Sequence, residues 1–381
     1  MSSIEIRQHQ PGKDLEDFIR VPHMLLAGDP AFVPQLDMMV RGQLTPKQNP
    51  FFAHADVALF TAYRGGKLVG RISAQIDHEH QARYADAVGF FGYFDTIDDR
   101  EVAQALLDTA RRWLADRGMK RMRGPLSMSI NEEVGVLVEG FETPAALLMG
   151  HHTRYQAGLI EASGFTKIKD VLAWRYRVTE LPERARKARA EVAAMPEVRL
   201  RIVDKTRFDE EMAHVLAIQD DAWHDNWGHV SLTAAEGKAL IQALKLLIEP
   251  ELAIFAEING EVAAMALALP NLPEAVADLG GKLLPFGWAK LLYRLRVQKL
   301  KSARLFLLGI RKQYRTQRRY GGLALALVAE IQERGRRIGM EWGELSWTLE
   351  DNTPVNLLIR TMRGEAYKKY RVFERAIDDA G

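Results

Sequence analysis

The segment Gln317-Arg318-Arg319-Tyr320-Gly321-Gly322-Leu323-Ala324 decides how the chain is read. Before it runs an apolar stretch, Arg304-Leu305-Phe306-Leu307-Leu308-Gly309-Ile310. After it, Leu323, Leu327, Ile331 and Ile338 recur at helical spacing. The spacing predicts a strand, a glycine turn and a helix from about Gly322 to Arg337. At a helix start the first N–H groups have no carbonyl to bond, and the peptide dipoles add partial positive charge, so the turn suits an anion. Glycine lets a phosphate approach the backbone closely. Arg315, Arg318 and Arg319 would add bidentate contacts. The segment lacks the Lys-Ser/Thr of a P-loop and the three-glycine spacing of a dinucleotide site. A plain glycine turn with solvated arginines is the competing reading.

Working outward, the chain reads as a duplication. Val57–Arg64, Gly65-Gly66 and Lys67–Gln75 predict a β-hairpin, and Leu252–Ile258, Asn259-Gly260 and Glu261–Leu269 predict another. An apolar strand, a long helix and a further strand follow each. The first set is Ala87–Phe94, a helix capped by Asp99 with Val102, Leu106, Ala110 and Leu114 on one stripe, and Arg121–Ser129. The second ends in Glu341–Trp347. From hairpin turn to helix is 33 residues in the first set and 61 in the second, so about 28 residues are inserted. The connector, rich in Arg, Ala and Glu, predicts an exposed helix.

Composition narrows the function. Among 381 residues, 52 Lys and Arg balance 50 Asp and Glu, which argues against a dedicated nucleic-acid binder. The absence of cysteine excludes disulfides, thiolate metal sites and a cysteine nucleophile. Met1–Arg7 has no charged region leading into an apolar run, and no stretch of 18 apolar residues occurs. The expectation is a soluble cytoplasmic protein.

Arg319-x-x-Gly322-x-Ala324 resembles the Arg/Gln-x-x-Gly-x-Gly/Ala signature of the GNAT acyltransferases. The resemblance implies an α/β (α+β) chain of two tandem GNAT-like folds, with mixed central sheets flanked by helices. These would be residues 1–178, a helical connector at 179–197, and residues 198–381 with an insertion at about 270–300. It implies that Arg315, Arg318, Arg319, Gly321, Gly322, Leu323 and Ala324 grip the pyrophosphate of acyl-CoA as co-substrate, with no covalently bound cofactor. The strand amides around Ile310 would polarise the thioester carbonyl. Glu350–Asn356 resembles the family's later Asn-x-x-Ala element, which assigns Asn352 to the cofactor. The first copy has no glycine turn, and Asp95, Asp98 and Asp99 there would repel phosphate, so the second copy is expected to hold the donor alone. The second copy departs from the pattern too: the family's tyrosine on the short helix falls near Ile359, which leaves the proton donor unassigned.

Two segments suggest the acceptor side. Ala222-Trp223-His224-Asp225-Asn226-Trp227-Gly228-His229 offers apolar walls from Trp223 and Trp227 and a polar contact from Asn226. Its histidines lack metal-ligand spacing, so no metal is assigned. Arg123–Gly135 places Asn131, Glu132 and Glu133 beyond a strand end, where Glu132 and Glu133 would bind an ammonium or take its proton. Acylating an amine requires a base, and Glu350 and Glu133 are the candidates. From Gly281 to Tyr320 the chain carries twelve Lys and Arg and no Asp or Glu, interleaved with Leu, Phe, Trp and Tyr. Such a segment would lie on an inner-membrane surface, cap an acyl channel or pack on the core. With the tandem copies, these features resemble the bacterial long-chain N-acyltransferases of the ceramide-synthase-like type, which implies a lipid amine acceptor such as a sphingoid base. A small-acyl or aminoacyl transferase on a soluble amine, and a non-catalytic CoA- or lipid-binding protein, are the alternatives.

Overall fold

The computed structural model describes residues 3–377. The chain forms two compact units. One comprises the chain up to Val171, Val276–Ala289 and the chain from Lys368; the other comprises Leu172–Ala275 and Lys290–Tyr367. The units therefore depart from the sequence halves. The chain's last strand enters the first unit from Lys368, and the end of the strand Thr166–Arg177 enters the second.

In the first unit the strands Ile4–His9, Ala55–Arg64, Lys67–Asp77 and Val88–Thr96 pair antiparallel in that order. Gly65 and Gly66 turn the hairpin, both at positive φ (55° and 75°). Val88–Thr96 then pairs parallel with Arg121–Gly124 over only three rungs, Val88–Arg121 to Phe90–Arg123. The last strand completes the order, with Phe373 opposite Gly124. The helix Arg100–Ala115 buries Val102, Leu106, Ala110 and Leu114 against Ile72, Phe91 and Phe94. Burying the valine, leucine, isoleucine and phenylalanine side chains contributes about 1.5–3 kcal/mol each. Leu15, Phe18, Leu44 and Tyr93 form a second buried cluster with the short N-terminal helices.

The second unit repeats the plan. Val198–Ile202, Ala253–Ile258, Glu261–Pro270 and Ser302–Ile310 pair antiparallel, turning at Asn259-Gly260 with φ of 51° and 83°. Ser302–Ile310 pairs parallel with Trp342–Leu349. The helix Leu323–Arg337 buries Leu323, Leu327 and Ile331. The connector helix Glu183–Ala193 is less exposed than its composition suggests. It buries Ala185, Ala188 and Val192, and Arg189 pairs with Glu330 of the long helix at 2.5 Å.

The insertion folds as short helices, Leu272–Val276 and Gly287–Tyr293, followed by a turn of π-helix at Arg294–Gln298. Gly287–Tyr293 buries no side chain completely, Leu291 is half-buried, and Arg294 just beyond donates to Ala275 O at 2.8 Å.

Candidate functional site

In the second unit, Ser302–Ile310 and Trp342–Leu349 pair over four rungs, from Ser302–Trp342 to Leu305–Leu345. Both strands then continue apart. Phe306–Ile310 keeps its antiparallel partner Glu261–Pro270 on one edge, with Ile310 opposite Ala264. No rung joins it to Trp342–Leu349 on the other, so the two strands open as a wedge. Backbone polar groups along such an edge need a partner.

The wedge leads into the glycine turn. A short helix, Lys312–Arg315, and a 3-10 turn, Arg318–Tyr320, deliver the chain to Gly322, which caps the helix Leu323–Arg337. The first helical bond runs from Ala326 N–H to Gly322 O at 2.9 Å. The N–H groups of Leu323, Ala324 and Leu325 thus have no carbonyl behind them, and no side chain caps them. Neither a positive φ nor crowding requires the glycine at 322. Its φ of −86° suits any residue, and a Cβ there would meet only Ala188 Cβ, at 3.7 Å. Glycine is favoured at a helix cap, and its bare backbone also leaves space for a ligand to approach closely.

The three arginines are deployed differently. Arg315 Nη1 donates to Ala222 O at 2.8 Å. Arg319 pairs with Glu197 and lies against the Tyr320 ring. Arg318 is exposed, and its guanidinium makes no hydrogen bond or ion pair among the described residues, though its carbonyl accepts from Gly321 N–H at 3.1 Å. Arg318 is therefore the guanidinium ready for an anion, and Arg319 would have to exchange Glu197 for it.

The Trp223–Trp227 segment is fastened beside this turn. Lys312 N–H donates to Asp221 Oδ2 at 2.6 Å, and Lys312 Nζ reaches Asp225 at 3.4 Å. Gly309 leaves room for Ile218, whose Cγ2 would stand 2.9 Å from a Cβ. Trp223, Asn226 and Trp227 are half-buried, on a turn closed by Asn226 N–H to Trp223 O at 2.8 Å. Asn352 caps the helix Thr353–Thr361, accepting from Val355 N–H at 3.4 Å. Asn356, which sequence reasoning passed over, is the buried asparagine. Its Oδ1 accepts from Thr348 Oγ1 at 2.7 Å, and its amide donates to Leu349 O and Glu350 O at 3.0 and 3.3 Å. It fixes the turn on which Glu350 stands exposed.

The corresponding places in the first unit are occupied by its own chain. Beyond the three parallel rungs, Leu126–Met128 crosses the gap. A Cβ on Gly92 would fall 2.0 Å from Leu126 O, and Gln75 Nε2 donates to Leu126 O and Met128 O at 2.6 and 3.2 Å. The start of Arg100–Ala115 is taken by Asp99, whose Oδ1 accepts from Glu101 and Val102 N–H at 2.9 and 3.2 Å. Asp95 is not a free acid turned toward a ligand. It is buried on Arg71, with nitrogens at 2.7 and 2.8 Å.

Leu126-Ser127 pairs with Glu133-Val134 as a small ribbon, and Glu133 is half-buried on it. Gln35 donates its side-chain amide to Glu133 Oε1. Ser127 Oγ is 3.5 Å from Oε2, at the limit of a hydrogen bond. Burial pushes the Glu133 carboxyl up to about 7. Arg71 pulls the other way and Asp95 adds to the rise. Arg71 lies between the Phe18 and Tyr93 rings, 5.0 and 5.3 Å from their centres. Burial, then Glu132 and Glu133, hold the Tyr93 hydroxyl well above its usual range, as a proton donor only. His152 accepts from Leu137 N–H at Nδ1 (3.2 Å), and burial pulls it down to about 4, so it is neutral at pH 7. Asn131 and Glu132 flank this group on the same loop, half-buried. Thus Asn131, Glu132 and Glu133 come together in the first unit, while the turn residues, Trp223, Asn226, Trp227, Glu350 and Asn352 belong to the second.

No family model matches the chain. The chain is 43% identical over 366 residues to the bacterial ceramide synthase of Caulobacter vibrioides (strain NA1000 / CB15N), covering 96% of this chain and 95% of that protein. It is 37% identical over 364 residues to protein YghO of Escherichia coli (strain K12), covering 96% and 93%. A solved tandem GNAT protein from the clavulanic acid biosynthesis pathway matches over 100% of both chains, with a TM-score of 0.58 at 13% identity, a likeness of fold.

Proposed function

Because the chain belongs to the family of the bacterial ceramide synthase, and so is an acyltransferase acting on an amine, we propose that it moves a long acyl chain from acyl-CoA onto a lipid amine such as a sphingoid base. The observation that carries this reading is the open helix start at Gly322, with the wedge leading to it. The diphosphate sits on the Leu323 and Ala324 amides, with Gly321 and Gly322 allowing approach and Arg318 and Arg319 closing over it. The pantetheine arm lies in the wedge, along Phe306–Ile310. There the strand amides hold the oxyanion that forms when the amine attacks the thioester.

The amine arrives mostly as an ammonium. Glu133 of the first unit, poised at about 7, takes the proton from an ammonium held there, which frees the nitrogen lone pair. The C–N bond forms and the C–S bond breaks. Of the two protons still on the attacking nitrogen, one passes to the departing thiolate and the other stays as the amide N–H, giving amide and free thiol. Glu132 and Asn131 stand beside Glu133 in the first unit, and in the second unit Trp223, Asn226 and Trp227 wall the donor. Glu350, exposed beside the capping Asn352, is the alternative base.

A lipid acceptor is supported by the insertion. Leu284 is 81% and Phe286 77% exposed, and Trp288 is exposed beside them, in a segment free of acids. No helix among the described residues is long and apolar enough to cross a membrane. The exposed apolar and basic side chains suit a place on the inner-membrane surface, the apolar ones among acyl chains and the lysines and arginines at phosphates. The test is thiol release by purified protein from acetyl-, octanoyl- and palmitoyl-CoA, with sphingoid and soluble amines. Palmitoyl-CoA with the sphingoid amine should dominate. Equal turnover of acetyl-CoA with soluble amines would give the reaction to a small-acyl transferase, and no thiol release from any pair would leave a binding protein.

A further inference from the structure

Gln35 lies in the link between the helices Glu16–Leu25 and Asp37–Gln43 of the first unit. Its side-chain amide crosses to Glu133 Oε1, 98 residues away in the chain. The link is held from another side by Gly281. Asp37 N–H donates to Gly281 O at 2.8 Å. Gly281 has a φ of +79°, and a Cβ there would stand 2.8 Å from Asp37 Oδ1 and from His23 Cε1, and 3.0 Å from Gln35 O. Asp37 is itself anchored by His23 Nε2 at 2.9 Å. The backbone of Gln35 is therefore seated by contacts that do not involve Glu133.

The groups that face Glu133 come from every element around it. They are Arg71 from Lys67–Asp77, Tyr93 and Asp95 from Val88–Thr96, Ser127 from the paired strand, and Glu132 and Gln35. Arg71 is committed to Asp95 and to Phe18 O, the latter at 2.9 Å. Ser127 is at the distance limit. The Gln35 amide is the donor left to orient the carboxylate, leaving Oε2 for the ammonium.

We infer that Gln35 is the positioning residue for Glu133, and that Gly281 of the basic apolar segment seats it. The inference rests on Glu133 being the amine's proton acceptor. Gly281 stands three residues before Leu284, so the segment that meets the lipid also sets the acid's partner.

Two substitutions separate this from a space-filling role. Gln35→Ala removes the donor. Gln35→Glu keeps the shape but replaces the donor with a second carboxylate. An infrared difference titration, with Glu133→Gln as the blank, reads the carboxyl directly. Its midpoint, about 7 in the natural protein, should rise in Gln35→Ala and rise further in Gln35→Glu, because a lost donor and an added negative charge both disfavour ionisation. In turnover, kcat should fall about tenfold in Gln35→Ala with KM for acyl-CoA within about twofold, and the acid limb of the pH profile should move alkaline with the infrared midpoint. Gly281→Ala should reproduce part of that shift. Gly280→Ala should not: its φ is also positive, at 55°, but its Cβ would meet nothing within 4 Å. Unmoved midpoints, or a Gln35→Glu protein matching the natural one, overturn the inference. If the natural protein turns over no amine, the proposed function falls instead, and the infrared midpoints still decide whether Gln35 acts on Glu133.

Discussion

Gly322→Ala is the sharpest perturbation of the donor seat. In the folded chain the added methyl has room, since its only neighbour would be Ala188 Cβ at 3.7 Å. Alanine is a poorer helix cap than glycine, but it narrows the unfolded ensemble; the two effects oppose, leaving stability within about 1 kcal/mol. Coenzyme A is affected differently. A diphosphate on the Leu323 and Ala324 amides must pass over residue 322. Each amide–phosphate bond is charge-assisted and contributes about 1.5–3 kcal/mol. Displacing one of them weakens binding by about 10- to 150-fold. Gly322→Val, with two more methyl groups, should exceed that. The assay is calorimetric titration with coenzyme A, beside a thermal melt of each variant. Unchanged affinity in both variants, with unchanged melts, would remove the diphosphate from this turn.

The remaining expectations follow from the same contacts. Arg318→Ala should weaken coenzyme A binding without lowering the melting temperature, whereas Arg315→Ala should lower it, because the Ala222 carbonyl loses its donor; paired titrations and melts separate the two. Gly92→Ala should destabilise the first unit by about 3 kcal/mol or more, since its methyl would strike the Leu126 carbonyl, and urea unfolding reads this. Glu133→Gln should abolish most turnover yet stabilise the fold at pH 8. The folded carboxyl ionises near 7 against an ordinary 4.5, so holding it charged costs stability that grows as pH rises through that window and is absent below 4.5. Melts at pH 4 and pH 8 should show the variant's advantage only at the higher value. Replacing Leu284, Phe286 and Trp288 together by Ser should release the protein from anionic vesicles in a flotation assay, with coenzyme A affinity retained.

Much of the fold is written in local spacing. Gly65-Gly66 and Asn259-Gly260 mark their hairpins because those residues accept positive φ, and the apolar stripes of Arg100–Ala115 and Leu323–Arg337 locate the long helices. The glycine turn was legible for the same reason, since strand, turn and helix are consecutive. What spacing cannot convey is pairing between distant segments. Nothing local to Phe373 says that it will lie opposite Gly124. Nothing near Asp95 announces Arg71 as its buried partner, so the acid reads as a repellent charge when it is a neutralised one. Glu133 was visible as an acid beyond a strand end, but its desolvation and its Gln35 partner are products of chain crossings. Asn352 stood out because it opens a helix, and for that reason its side chain is engaged in capping, while the buried Asn356 one turn later holds the strand end.

The most direct measurement is diffraction from crystals soaked in coenzyme A. The diphosphate should lie within hydrogen-bonding distance of the Leu323 and Ala324 amides, with Arg318 turned toward it and the pantetheine running between Phe306–Ile310 and Trp342–Leu349. Diphosphate density at the start of Arg100–Ala115, or anywhere that leaves the amides beyond Gly322 on water alone, would contradict the assignment of the donor to the second unit.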